Sequence, residues 1–237
     1  MMISIMQPAY LPWLGYFHRI AISDLHIVLD HVEIDRNSKT KFANRNKVRT
    51  KEGWSWLTVP LVSKGKTGEL QLDKLEVDNS SNWRRKHWNT IESNYARANF
   101  IDDHRLFLAT VYSREWTRLN ALVRETTTYL LAAFAIDTPV MFSADLGIQT
   151  HKDELILDLC RAVGATEYIS GPFGRDYIRE PMFEDAGVRV RYHDYKHPIY
   201  RQVYPGFEPY MSALDLLLNC GRDSASIIAS DQERVSA

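Results

Sequence analysis

Three segments of the sequence combine aromatic rings with glycines or cations in the way that anion or sugar sites do. The first is Met6-Gln7-Pro8-Ala9-Tyr10-Leu11-Pro12-Trp13-Leu14-Gly15-Tyr16, which leaves an apolar strand and enters a helix. Backbone N–H groups near Trp13 to Gly15 would face a ligand with positive partial charge. Pro8 and Pro12 stiffen the approach, and Gly15 admits a second backbone close by. Gln7, Tyr10, Trp13, Gly15 and Tyr16 are therefore binding candidates, against the plainer alternative of a rigid turn packed by its own rings. The second segment is Ser170-Gly171-Pro172-Phe173-Gly174-Arg175-Asp176-Tyr177, again strand end to helix start. Its amides between Gly171 and Gly174 could form a nest for an anion beside Ser170, and Arg175 could grip a phosphate or carboxylate. A structural turn would use the same Gly-x-x-Gly spacing.

The third segment, Tyr195 to Gln202, is dense in polar and aromatic groups and follows no regular period. His197 titrates near neutral pH when unperturbed and is a candidate general base, with Tyr200 and Gln202 as binding candidates beside it. Asp215 and Asn219 lie four apart and share one face of a helix, where burial beside leucines would oblige them to find partners. Asp215 is the second candidate base. Arg45, Lys47, Arg49 and Lys51 alternate with Asn44, Asn46 and Val48, so an extended backbone puts all four cations on one face. That face is either a solvated edge or, near a nucleotide-sugar pocket, a phosphate clamp in which Arg45, Asn46 and Arg49 take part. The cluster Arg84-Arg85-Lys86-His87 reads as solvent-facing. The chain has no Walker loop, no Gly-x-Gly-x-x-Gly, no Gly-x-Ser-x-Gly and no pair of cysteines at metal spacing, and no metal site is expected.

The elements that must carry these segments alternate. Residues 3–7 and 25–29 read as strands flanking a helix over 13–22, a right-handed βαβ unit with a parallel sheet. A third strand over 54–62 is expected to turn at Gly65 and Gly68 into a hairpin partner at 70–77. Helices follow over 83–98 (capped by Ser80 or Ser81), 103–113 and 115–135. After strands at 140–143 and 168–170 and a helix at 151–163, capped by Thr150 and stopped by Gly164, come a helix at 176–185, a strand at 188–195 and a helix at 209–219. The pattern predicts one α/β domain over 1–228: a Rossmann-like, mostly parallel sheet with a central helical insertion at about 80–135, then a frayed tail at 229–237.

Composition narrows the partners. A net charge of −1 over 237 residues draws the chain to neither nucleic acid nor anionic lipid. The longest apolar run, 129–136, is far short of the ~20 residues that span a bilayer. With no export signal at the N-terminus, the expected location is cytoplasmic. Cys160 and Cys220 sit singly in apolar helical patterns, as reduced thiols do.

Gln7 to Phe17, Asn46 to Arg49, Trp54 to Pro60, Tyr168 to Tyr177, His197 to Gln202 and Phe207 to Asn219 together resemble the WbqC-like family, in order and over nearly the whole chain. That family occurs in bacterial O-antigen and other surface-polysaccharide gene clusters, and a member has been proposed to be a glycine transferase. The resemblance implies a transferase that decorates an amino sugar with an aminoacyl group, glycyl being one such group; it carries over no catalytic residues. A more distant similarity is to nucleotidyltransferase-type Rossmann proteins, where Trp13-Leu-Gly-Tyr16 stands in place of a phosphate-gripping His-x-Gly-His and Ile169-Ser170 in place of a later strand end. Both of those histidines are absent, although His18 follows closely and joins the binding candidates.

Three functions compete. An amide-forming transferase would use His197 or Asp215 as base, the Gly171–Gly174 amides for the oxyanion and Arg45, Arg49 and Arg175 for phosphates, on a nucleotide- or lipid-linked amino sugar. An ATP-using nucleotidyltransferase or ligase would make ATP a cofactor. A non-catalytic sugar-nucleotide-binding assembly factor would bind without turnover. The acyl donor is open between a free amino acid with ATP, a charged tRNA (the one route to a nucleic acid partner) and a thioester. The exposed aromatics would suit a sugar platform or the interface of a homo-oligomer.

Overall fold

The computed structural model describes residues 1–33, 42–62 and 71–230. Its centre is a five-stranded, wholly parallel sheet in the order β5-β2-β1-β6-β7. The strands are β1 (Met2–Met6), β2 (Leu25–Val28), β5 (Val140–Phe142), β6 (Glu167–Ser170) and β7 (Arg189–Tyr192). Strand β1 lies in the middle, where both its faces are covered, which is why its last four residues are all buried. Alternation sorts its side chains. Ile3 and Ile5, with Leu25 and Ile27 of β2, pack into the core built by α5 (Lys152–Ala162) and α6 (Glu180–Asp185). On the other face Ser4 and His26 hydrogen-bond at 2.9 Å beneath Tyr16 of α1 (Leu14–Ala21).

The chain adds β2 and β5 on one side of β1 and then returns to add β6 and β7 on the other. The direction of sheet growth thus reverses between β1 and β6, and the crevice beyond their carboxyl ends is the place where open parallel sheets bind ligands.

A separate hairpin pairs β3 (Arg45–Thr50) with β4 (Gly53–Thr58), from Arg45 opposite Thr58 to Thr50 opposite Gly53. This corrects the expected pairing of 54–62 with 70–77. Among the described residues those limbs meet at an antiparallel bridge between Leu61 and Val77, flanked by hydrogen bonds from Val62 N–H to Glu76 O and from Asp78 N–H to Pro60 O, and Gly65 and Gly68 lie outside the described residues. Between β4 and β5 the chain forms α2 (Trp83–Tyr95), α3 (Ile101–Ser113) and α4 (Leu119–Ala133). Asn82, not Ser80 or Ser81, precedes α2, and it offers no side-chain cap. Likewise His151 rather than Thr150 takes the N-cap position of α5, because the Thr150 hydroxyl is turned to Asp158 at 2.9 Å. The last long helix, α7 (Ala213–Cys220), starts later than expected: Tyr210 holds φ at +61° and Ser212 caps the first turn. The short α8 (Ser224–Ala229) follows, and most of the expected tail, 231–237, lies outside the described residues. Cys160 and Cys220 are free thiols. Among the described residues no helix is long and apolar enough to cross a membrane.

Candidate functional site at the β1–β6 crevice

Helix α1 organises the crevice. Gly15, His18 and Arg19 are spaced i, i+3, i+4 and so share one face, which meets the segments leaving β6 and β7. At Gly15 a Cβ would stand 2.9 Å from the ring of Tyr195, so only glycine lets that ring lie against the helix. Arg19 leans back toward the start of α1, as long helical side chains do. Its guanidinium ends against Gly171, where a Cβ would stand 3.1 and 3.2 Å from its two terminal nitrogens. Gly174 is forced for a related reason, since a Cβ there would overlap the Ser170 hydroxyl. Each of the three glycines thus makes room for a polar or aromatic group of the crevice.

Arg19 is 9% exposed, and among the described residues no carboxylate forms an ion pair with it. Burial lowers its pKa, while the nearby Tyr168, Tyr177 and Tyr16 hydroxyls act in the opposite sense. Its Nε–H donates to Nδ1 of His193 at 3.4 Å, and His193 Nε2 lies 2.8 Å from Nδ1 of His18. If Nδ1 of His193 accepts from the guanidinium, its proton sits on Nε2 and is donated to His18, which fixes both tautomers through the hydrogen-bond pattern. Burial, with Arg19, His18 and Arg191 adding to it, pushes His193 down to about 3, so the ring is neutral. The N–H of His193 donates to Ser170 O at 2.9 Å and anchors the exit of β7 to β6. Tyr195 lies over both imidazoles, with ring centroids 5.0 Å from His18 and 5.7 Å from His193. At the rim stand Gln7, Phe173 and Tyr177, all exposed, and Arg175 in a two-bond pair with Asp194 at 3.2 and 3.0 Å.

The remaining sequence candidates fall elsewhere or are committed to other work. The Tyr10 hydroxyl is fully buried and bonds to Tyr112 at 2.6 Å and His87 at 3.1 Å, which makes it core. His87 itself departs from the solvent-facing reading of its cluster, since it is buried and also meets Thr58 O. Tyr16 points to the opposite flank of α1. Trp13 is half-buried against Phe42. Asn46 clamps the first loop by donating to Leu11 O at 2.6 Å, where Leu11 sits at φ +46°; a positive φ in a leucine persists only when its surroundings enforce it.

The cation face of β3 holds in part. Arg45 and Lys47 stack on Trp56 and Trp54 at 4.3 and 4.0 Å. Arg49, however, is buried and donates to Thr50 O, Gly53 O and Pro205 O, so its guanidinium ties loops together. Asp215 is 0% exposed and accepts from Tyr95 OH at 2.7 Å, Tyr200 OH at 2.8 Å and Gln202 Nε2 at 2.9 Å. Burial raises its pKa and those donors pull the other way. Gln202 also exchanges two bonds with the Glu208 backbone. Asp215, Tyr200 and Gln202 thus form an internal hub with no lone pair facing a substrate. His197 uses both ring nitrogens on the backbone, Nδ1 toward Pro198 O and Nε2 accepting from Tyr210 N–H, and burial lowers its pKa. In the nest, the Gly174 N–H is used inside its turn on Gly171 O, and Pro172 has none to give.

Sequence reasoning passed over Arg19 and His193, and met Tyr195 only as the first residue of the third segment. The i, i+3, i+4 relation of Gly15, His18 and Arg19 was a usable signal. The contribution of β7's exit, twenty residues beyond the second loop, carried none. Among the described residues no three His, Cys, Asp or Glu side chains converge as a metal site.

A family model described as the WbqC-like protein family matches residues 7–227. A Mycobacterium tuberculosis protein described as uncharacterized protein Rv1507c is 35% identical over 224 residues, covering 94% of this chain and 95% of that relative. No solved structure matches the chain.

Proposed function

The chain belongs to the WbqC-like protein family, and from that premise we propose that it is a transferase placing an aminoacyl group, glycyl in the simplest case, on an amino sugar of a surface polysaccharide or related glycoconjugate. The observation that supports this reading is Arg19: a guanidinium 9% exposed, without a carboxylate among the described residues, at the reversal point of a parallel sheet. A buried cation of this kind is costly unless an anion completes it. The phosphate of a nucleotide- or lipid-linked amino sugar is such an anion, reaching Arg19 past the bare Cα of Gly171.

The chemistry then requires a base. The sugar amine attacks the acyl carbonyl, an N–C bond forms, the bond from that carbon to the leaving group breaks, and a proton leaves the nitrogen. His193 takes this role once Arg19 turns to a phosphate: its Nδ1, which accepts from the Arg19 Nε–H at 3.4 Å, is then free, whereas the lone pairs of His197 and Asp215 stay engaged. The Nε2 proton of His193, donated to His18 across the 2.8 Å contact, stabilises the imidazolium that forms, and the proton taken up on Nδ1 passes on to the leaving group. Burial first, and then the charge of Arg19, disfavour the His193 imidazolium. A phosphate bound to Arg19 offsets that charge, so acceptor binding itself raises the basicity of the pair.

Calorimetric titration with pyrophosphate, UDP- and dTDP-linked amino sugars and ATP, on the wild type and Arg19→Met, tests the proposal. Binding of an amino-sugar nucleotide that is lost in the variant, with aminoacylated product detected by mass spectrometry, supports the transferase. ATP binding without sugar binding supports the nucleotidyltransferase or ligase alternative. Sugar-nucleotide binding with no product under any donor supports the assembly factor.

A further inference from the structure

The two edges of the parallel sheet differ. On the outer strand β7, Arg189 and Arg191 are exposed, and Arg191 pairs with Glu167 at 3.8 Å. Such charges guard an edge against pairing with another chain. Strand β5, at the other edge, has no such guard. The run Pro139-Val140-Met141-Phe142 carries no charge, and Val140 and Phe142 are half-buried. Met141 lies beside Ile27, on the face that α5 and α6 cover further in, yet it is 36% exposed. Register tells which backbone groups of β5 are unused. His26 pairs with Val140, and the His26 N–H donates to Pro139 O at 2.9 Å. In a parallel ladder each residue turns its N–H and C=O to one side, and the next residue turns them to the other. Pro139 and Met141 therefore serve β2, while Val140 and Phe142 face outward. Phe142 is the N-cap of a 3₁₀ turn over Ser143–Leu146, which engages its C=O. The Val140 N–H, the Val140 C=O and the Phe142 N–H have no partner among the described residues.

Two charges flank this edge. Arg124 of α4 is exposed, with its guanidinium 4.2 Å from the centre of the Phe142 ring, at the end where β5 stops. Asp137 is exposed where the chain enters β5. Neither forms an ion pair among the described residues. Between α4 and β5 runs a groove of about 370 Å³, apolar at Val28 and Val140 and polar at Thr128 and Thr138.

We infer that β5 pairs with β5 of a second copy of this chain, antiparallel about a two-fold axis at Met141, so that two five-stranded sheets become continuous. The edge is complementary to itself, which singles out this partner. In that register Val140 stands opposite Phe142 of the second copy, and both turn their backbone groups toward the contact. A slip of one residue would set each of them against a residue turned inward. Antiparallel pairing also lays the end of β5 beside the start of the other β5. Arg124 and the Asp137 of the second copy are thereby brought to the same end, and by symmetry the contact forms twice. Met141 meets its own equivalent, which takes an exposed apolar side chain out of water. An unrelated extended peptide would use the same backbone groups, with nothing to match the two charges. With β2 between β5 and β1, this contact is separate from the crevice, and the inference does not depend on the transferase reading.

The test is sedimentation velocity on the full chain over a concentration series, paired with residue-resolved amide exchange. The wild type should form a particle of two chains, with a dissociation constant of about micromolar or tighter. Met141→Lys sets two lysines opposite each other and should weaken the dimer by at least about tenfold. Arg124→Asp and Asp137→Arg should each weaken it, and the two combined should restore it, because the pair is then reversed and not lost. The Val140 and Phe142 amides should exchange more slowly as concentration rises, while the Met141 amide, which serves β2, stays slow throughout. All three substituted positions are exposed, and circular dichroism with thermal melts confirms that each variant is folded. A particle of one chain at every concentration, with its edge open or taken up by an extended peptide, overturns the inference. So does a dimer indifferent to Met141→Lys, or one that the combined charge reversal fails to restore.

Discussion

His18 Nδ1 stands 2.8 Å from His193 Nε2, with the two rings only 15° from parallel, although 175 residues separate them in sequence. One imidazole is carried by the first helix after β1 and the other by the first residue beyond β7. They meet because β6 is laid beside β1 and β7 beside β6, which returns the C-terminal half of the chain to the mouth of its first strand. With Arg19 adjoining, the pair sits where the fold's geometry already favours a ligand.

The arginine is the first point of attack. Arg19→Met should lower affinity for pyrophosphate or a nucleotide sugar by at least about tenfold. It should leave the free protein as stable as the wild type or more so by about 1–2 kcal/mol, because it replaces a buried cation by a hydrophobe of similar length. Arg19→Lys should not restore binding, since an ammonium lacks both the fork and the Nε–H given to His193. Calorimetry paired with urea denaturation checks both halves; unchanged affinity in Arg19→Met would remove Arg19 from the site.

Stability should fall in mild acid. Burial is the leading cause of the depressed values of His26 and His193, each about 3, and of His87, about 4. A base whose folded pKa lies below its unfolded value of about 6.5 contributes stability that is fully present above 6.5. That stability is lost as pH falls from there toward 4, because the unfolded chain takes up the protons first. The slope approaches about 1.4 kcal/mol per pH unit for each such group. Urea midpoints between about pH 7 and 5 should therefore drop, and less steeply in His87→Gln. A flat profile would mean the rings are hydrated in solution.

The sheet was legible in the sequence because its strands are short apolar runs between turn residues, and their carboxyl ends pointed to the Gln7 and Ser170–Arg175 loops. The hairpin was not. Strand β3 carries only Arg45 and Lys47 half-open on one face, with Arg49 buried beyond them, and Asn46 and Val48 alone on the other, too short for a period to emerge. The polar residues of the C-terminal stretch misled for a different reason. A sequence displays His197, Gln202 and Asp215 as polar groups without showing that Tyr95, Tyr200 and the backbone already occupy them. Arg19 was overlooked in turn because an arginine near a helix end ordinarily reads as a solvated charge.

Asp215 offers a sharp contrast between scaffold and base. Asp215→Asn should destabilise the fold by about 2–4 kcal/mol, because it sets an amide against buried donors that now share a carboxylate. The folded fraction should bind nucleotide sugar like the wild type, and any transferase activity should scale with the amount of folded protein. Thermal melts, binding and product formation, measured on the same preparations below the transition, decide the matter. Loss of turnover at full stability would restore Asp215 as a base.

Gly174 and Ser170 give a paired test of how the second loop is built. A Cβ at position 174 would overlap the Ser170 hydroxyl and stand 2.9 Å from Ile178 Cδ1. The isoleucine tip can swing aside, whereas Ser170 is buried within β6 and cannot. Gly174→Ala should therefore cost about 1–3 kcal/mol and push the turn off Gly171, weakening anion binding at Arg19. Adding Ser170→Ala removes the overlapping oxygen while sparing the strand, so the double variant should regain much of both losses. The coupling in a double-mutant cycle should exceed about 0.5 kcal/mol, the threshold for residues in contact. Additive losses would mean that Gly174 is required for its backbone and not for the space above Ser170.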